Sequence, residues 1–219
     1  MPESERSLPV AWDSDDPADA DLLRSNAQRV LRSAVDHARN RQPPSIALAQ
    51  AWHRDLYGGC RLPVEYYAGE TRDSDEDFPE LFGYEVEVAG LAGASSADVP
   101  RELDRFETAM AEAVGRLDSL VPPMTVPSEP GSFGSVITFA AVAHGEWVRI
   151  HPFANGNGRT ARVWANWCLI RYGLPTVVRP RPRLEGLAYT AASRASMTGD
   201  HLPMVRLLNA QVAEAAANP

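Results

Sequence analysis

Apolar positions recur at near-helical spacing over most of the chain. Between Asp21 and Ala38 they fall at Leu22, Leu23, Val30, Leu31, Ala34 and Val35, which predicts a helix ended by Gln42-Pro43-Pro44. Ser45 is the expected N-cap of a second helix, with Ile46, Ala49, Trp52 and Leu56 on one face and Gly58-Gly59 as its stop. Residues 60–98 change character. They carry Gly, Pro and acids around one alternating run, Tyr84-Glu85-Val86-Glu87-Val88, which predicts a strand, with its hairpin partner in Leu91–Val99. Pro100 opens a long helix whose buried stripe is Leu103, Phe106, Met110, Val114 and Leu117. The four prolines of 121–130 demand a loop. A further helix, Ser132–Ile150, buries Val136, Phe139, Ala140, Ala143 and Trp147 and is the most apolar, which predicts a central place for it. After a break at His151-Pro152 another helix begins near Gly158 and closes at Gly173 and Pro175. Two more are predicted over 184–196 and 202–216. The fold class is mostly α, a helical bundle with one small β-hairpin, and residues 1–19 read as a flexible leader to a single domain over 20–219.

Composition narrows the chemistry. The 219 residues are 44% hydrophobic and 23% charged, which fits a folded domain. All 21 basic residues are arginine, so P-loop, kinase and Schiff-base lysines are excluded. A net charge of −8 argues against coating nucleic acid or anionic membrane. Cys60 and Cys168 form no metal or redox motif and are expected as free thiols. The acidic start is unlike a secretory signal, and the longest apolar run is too short to span a bilayer, so the expected location is the cytoplasm.

The chemistry concentrates in His151-Pro152-Phe153-Ala154-Asn155-Gly156-Asn157-Gly158-Arg159-Thr160-Ala161-Arg162. Gly156-Asn157-Gly158 can take left-handed conformations that aim successive N–H groups at one anion. The helix that follows adds its positive end. Arg159 and Arg162, three apart, can reach phosphate oxygens, and His151 stands where a base is useful. Taken singly, a histidine after a helix is an ordinary capping residue and Gly-Asn-Gly an ordinary turn. A dinucleotide fingerprint, Gly156-x-Gly158-x-x-Ala161, fails because a helix precedes it and no acid follows at the required distance.

The whole string resembles the signature of the Fic family, His-Pro-Phe-x-Asp/Glu-Gly-Asn-Gly-Arg-x-x-Arg, at every fixed position but one: Asn155 stands where the family has an acid. Ala140-Ala141-x-x-His144-x-x-Trp147-x-x-Ile150 resembles the family's preceding helix, and Ala68-Gly69-Glu70-Thr71-Arg72 the entry to its flap. Tyr189 and Gly199-Asp200-x-x-Pro203 are similar to its C-terminal features. The resemblance places the motif region at 132–175 and the flap at about 69–98 of a Fic-like domain. It implies transfer of AMP from ATP, with Mg²⁺, to a hydroxyl side chain of a protein substrate. His151 would be the general base. Gly156, Asn157, Gly158 and Arg159 would hold the donor phosphates, Arg162 the terminal one, and Phe153 would anchor the loop.

The flap, with Gly69, Glu70, Thr71 and Arg72 at its root, would dock the target by main-chain pairing, and its acids Glu70, Asp73, Asp75, Glu76 and Asp77 favour a basic docking surface. At Asn155 the family's acid holds the metal, so here the metal site is reduced to a neutral amide oxygen. The family's inhibitory Ser/Thr-x-x-x-Glu-Gly/Asn helix has no match: Thr108…Glu112 is followed by Ala113, and Thr125…Glu129 by Pro130. Either a separate small antitoxin-like partner supplies that Glu, or regulation differs. Two other readings stand beside AMP transfer: a Doc-type phosphotransferase, and a nucleotide-binding module that lost turnover through Asn155.

Overall fold

The computed structural model describes residues 10–73, 75, 77–123, 125–178 and 187–217. Seven helices lie among them: α1 (Ala20–Arg39), α2 (Ile46–Leu56), α3 (Val99–Leu120), α4 (Pro130–Ile150), α5 (Asn157–Arg171), α6 (Leu187–Met197) and α7 (Leu202–Ala217). The expected start of the sixth helix at 184 and Glu76 of the acidic run lie outside the described residues. Ser45 caps α2, its Oγ accepting from the Leu48 N–H at 3.1 Å. The stripe expected on α3 is buried at all five positions.

Both helices of the motif are central. α4 packs against α3, α5, α6 and α7, and α5 against α4, α1 and α2. Every residue of α5 except Gly158 is buried, including Arg159, Arg162, Asn166 and Arg171. A helix buried on all sides carries no single apolar stripe, so its place has to be set by what surrounds it. Ala27, Ala34 and Ala38 give α1 a smooth buried face that lets it lie close to α5. An aromatic cluster fills the middle: Trp164 of α5 meets Trp52 of α2 edge-on at 4.9 Å, Phe106 of α3 at 5.7 Å and Trp147 of α4 at 6.0 Å. Neither Cys60 nor Cys168 forms a disulfide.

The hairpin is shorter than its alternating pattern. β1 (Glu87–Val88) pairs antiparallel with β2 (Leu91–Ala92) around a two-residue turn at Ala89-Gly90, both with positive φ. The pairing stops because neighbouring groups are used elsewhere. Tyr84 O and Ala94 O accept from the Arg72 guanidinium, and Glu85 accepts from the N–H and hydroxyl of Ser96. One more bond, Gly93 N–H to Val86 O at 2.9 Å, is all that extends the ladder.

The stretch read as a flexible leader is described from Val10 onward, and there it lies against the domain. Trp12 is buried, and the N–H of Val10 donates to the Tyr67 hydroxyl at 3.1 Å. Asp19 is buried as well and accepts from the Arg61 N–H at 2.8 Å.

Candidate active site

The motif loop crosses from the end of α4 to the start of α5. His151 caps α4 in the left-handed region (φ 54°, ψ 57°), an uncommon conformation for a residue with a Cβ. Pro152 forbids helical continuation, and Arg72 holds the turn. The fully buried Arg72 side chain donates to His151 O (2.9 Å), Ile150 O (3.0 Å), Tyr84 O (2.7 Å) and Ala94 O (2.9 Å). Its backbone N–H donates to Pro152 O at 2.8 Å. One guanidinium thus ties the base of the flap to the carbonyls around His151. Gly93 permits this approach, since a Cβ there would stand 2.8 Å from the His151 Cβ.

The His151 ring is oriented by Nδ1–H donating to Val148 O at 2.9 Å, which leaves Nε2 as the basic nitrogen. Burial, helped by the Arg72 charge, pulls its pKa down to about 4, so the ring is neutral near pH 7. Nearby, Phe153 is fully buried and stacks on the His53 ring at 3.7 Å. His53 bridges two loops: Nδ1 accepts from the Gly69 N–H (3.0 Å), and Nε2–H donates to Asn155 O (2.9 Å). Burial holds its pKa near 3, which keeps the neutral tautomer those two bonds require.

Only Gly156 of the expected left-handed run has positive φ (78°); Asn157 and Gly158 are already the first residues of α5. The convergence of N–H groups there is that of a helix N-terminus. A Cβ at Gly156 would meet the Tyr57 hydroxyl at 2.4 Å. The Asn157 side chain is spent inside the loop, accepting from Phe153 N–H at 2.9 Å and donating to Phe153 O at 2.8 Å. What it offers a ligand is its backbone.

These elements line a cleft of about 440 Å³ that includes His151, Gly156, Gly158, Arg159, Arg162 and Tyr189. Arg162 lies over the Tyr189 ring (5.5 Å) and donates to its hydroxyl (3.2 Å). That hydroxyl lies 2.8 Å from His144 Nε2, whose pKa is held near 3 by burial and by Arg162. Arg159 donates to the Ser14 hydroxyl (3.1 Å), the Tyr57 hydroxyl and the Asp15 carboxylate. Asn155 uses both ends of its amide. Its Oδ1 accepts from Gly156 N–H at 2.8 Å, and its Nδ2 donates to Trp12 O at 2.9 Å.

The Fic/DOC family profile matches residues 43–169, more than half of the chain. The chain belongs to the Fic/DOC family. The protein adenylyltransferase Fic of Drosophila virilis is 38% identical over 81 residues, 37% of this chain and 16% of that relative. The matched stretch is therefore a small part of the curated relatives. Among solved structures, Fic-1 of C. elegans aligns with a TM-score of 0.61 at 24% identity, covering 95% of this chain and 52% of that one. The Bartonella tribocorum effector BepC, solved with AMPPNP bound, aligns at 0.56 and 18% identity, covering 94% and 93%. These likenesses establish the Fic fold.

Within that fold, His151 and Arg162 line one cleft together with residues 155–159 of the motif. The four flap-root residues do not stand out as a surface. Arg72 and Thr71 are buried, Gly69 is bonded to His53, and Glu70 pairs with Arg54 at 3.1 Å. As a metal ligand Asn155 offers one neutral oxygen that already accepts a hydrogen bond. No three His, Cys, Asp or Glu among the described residues are grouped to hold an ion. The chain's own donor set therefore does not fit a resident Mg²⁺. Sequence reasoning missed Tyr57, His53 and the Trp12–Asp15 segment. The only local signal for the last was a tryptophan inside an otherwise acidic leader. Among the described residues, no helix is long and apolar enough to cross a membrane.

Proposed function

We propose that the protein transfers AMP from ATP to a hydroxyl side chain of a protein substrate. The observation that carries this reading is the neutral His151, its Nε2 unused by the ring's one internal bond, lining the same cleft as the N-terminus of α5, Arg159 and Arg162. In the proposed step the target hydroxyl oxygen forms a bond to the α-phosphorus of ATP. The bond from that phosphorus to the bridging oxygen breaks, pyrophosphate leaves, and the hydroxyl proton passes to His151 Nε2. The N–H groups at Asn157 and Gly158, with the two guanidinium groups, neutralise the phosphates. No step is assigned to a divalent ion; ATP carries Mg²⁺ on its own phosphates.

The target would lie along the exposed hairpin, adding backbone pairing next to β1. The acids around it suit a basic surface on that target. The flap-root residues would act by holding this hairpin over His151 through Arg72.

The test uses ATP labelled at the α or the γ phosphate, Mg²⁺, the purified protein and a bacterial lysate, with His151→Ala as control. Protein bands labelled only from the α position, and absent with the variant, are expected. Label from the γ position alone would replace this reading with phosphotransfer of the Doc type. ATP binding without label from either position would favour a nucleotide-binding module.

A further inference from the structure

The departure from the Fic motif at Asn155 and the acid paired with Arg159 are parts of the same arrangement. Residues 12–15 run past the cleft, and Asp13, Ser14 and Asp15 line it. Three fastenings hold them. The Trp12 ring is buried, edge-on to Tyr57 at 4.6 Å and within 6.1 Å of His53 and 6.0 Å of Tyr67. Trp12 O accepts from Asn155 Nδ2. Ser14 and Asp15 take the Arg159 guanidinium.

We propose that this strap is a built-in occupant of the phosphate site: Asp15 holds Arg159 as a donor phosphate would, and Asn155 is the tether that keeps it there. The proposal rests on the reading of the cleft as a phosphate site. A carboxylate and a phosphate oxygen compete for the same guanidinium edge. Arg159 has its two terminal nitrogens committed to Ser14, Tyr57 and Asp15, so an incoming phosphate that uses this edge displaces the strap. The Asp15 side chain is 42% exposed, which makes the contact exchangeable. Arg162 donates to the Tyr189 hydroxyl.

The identity of residue 155 follows from the same geometry. The amide accepts from Gly156 N–H with one end and donates to Trp12 O with the other, whereas an ionised carboxylate can only accept. A carboxylate at 155 would face the Trp12 carbonyl without a proton to give, and would add a negative charge beside Asp13 and Asp15. The strap and an acid at 155 therefore exclude each other.

Inorganic tripolyphosphate probes the site without invoking transfer. Its affinity is measured by calorimetry for the full chain, for Asp15→Ala, and for Asp21→Ala as a charge control on an exposed residue of α1. Asp15→Ala is expected to bind at least about five-fold tighter, because the occupied fraction no longer has to be displaced, with Asp21→Ala unchanged. Hydrogen exchange supplies a second readout. Tripolyphosphate should speed exchange at residues 12–15 of the unmodified chain, and Asn155→Ala should speed it without any ligand. Equal or weaker binding by Asp15→Ala, no measurable binding by either protein, or unchanged exchange at 12–15 on ligand addition would overturn the proposal. Tighter binding by Asp15→Ala together with no AMP transfer by any form would leave the strap standing and remove the adenylyl-transfer reading.

Discussion

Arg72→Met separates a structural from a docking role for the flap root. The substitution keeps the buried aliphatic stem and removes every side-chain donor. Four carbonyl oxygens, on Tyr84, Ala94, Ile150 and His151, then lose this donor, and of the four Ile150 O keeps a bond from the Ala94 N–H at 3.3 Å. The acid within ion-pair distance of the guanidinium among the described residues, Glu85 at 3.8 Å, is 63% exposed and contributes little. An unsatisfied buried acceptor costs about 1–3 kcal/mol. If water relieves the two carbonyls on the flap side, Tyr84 and Ala94, His151 O alone sets a cost of about 1–3 kcal/mol. For a chain of this size each kcal/mol moves Tm by about 2–4 °C, so the smallest loss consistent with the geometry is about 2 °C. Differential scanning fluorimetry at pH 7.5 reads it. Arg72→Lys should recover only part, because an ammonium cannot reproduce the planar fork that reaches both sides of the turn. A loss below about 2 °C for Arg72→Met, with a weakened KM for the protein target as the main effect, would refute the structural reading and return Arg72 to the docking surface.

Phe153→Ala removes a fully buried ring that stacks on His53 and packs near Trp147, and should cost about 3–5 kcal/mol, read as a fall in the urea midpoint with an unchanged slope. Acid lability is the other expectation. Burial lowers His151 to about 4 and His53 and His144 to about 3, against 6.5 in the unfolded chain. The unfolded state thus binds more protons below pH 6.5, and stability that is complete above that value falls as pH drops toward 4, by up to about 1.4 kcal/mol per unit for each ring. The paired carboxylates Glu102, Asp118 and Glu146 are held below their ordinary range and add to the loss only at lower pH. A Tm that stays flat from pH 7 to pH 5 would contradict the buried, neutral histidines.

What could be read from the sequence is what depends on neighbours along the chain. The stripe of α3, the Ser45 cap and the turn at Gly173 are set by residues within a few positions, and each lies where its pattern put it. The 151–162 string was legible because loop, helix start and arginines are contiguous. The hairpin was over-read for the opposite reason. Alternation from Tyr84 to Val88 describes a strand, but Tyr84 and Ala94 give their carbonyls to Arg72, and that side chain arrives from twelve residues before Tyr84. The nest at 156–158 was over-read too, since helical φ at Asn157 and Gly158 already presents their N–H groups.

The leader shows the same limit most sharply. Nothing local distinguishes Trp12-Asp13-Ser14-Asp15 from a solvated acidic tail, because its partners lie far along the chain; Trp12 and Asn155 are 143 positions apart. The trace it does leave is at the other end of the contact. An acid replaced by its own amide looks, in the motif, like a loss of charge from a metal site. In the fold it is the gain of a donor that the acid lacked, aimed at a carbonyl of the strap. The negative charge missing from position 155 is present in the same cleft on Asp13 and Asp15. In the proposed arrangement the carboxylates of the cleft stand on the strap, which a phosphate would displace, and not on the motif loop. Asn155 and the acidic strap are on this argument one device, and neither has a reason to persist without the other.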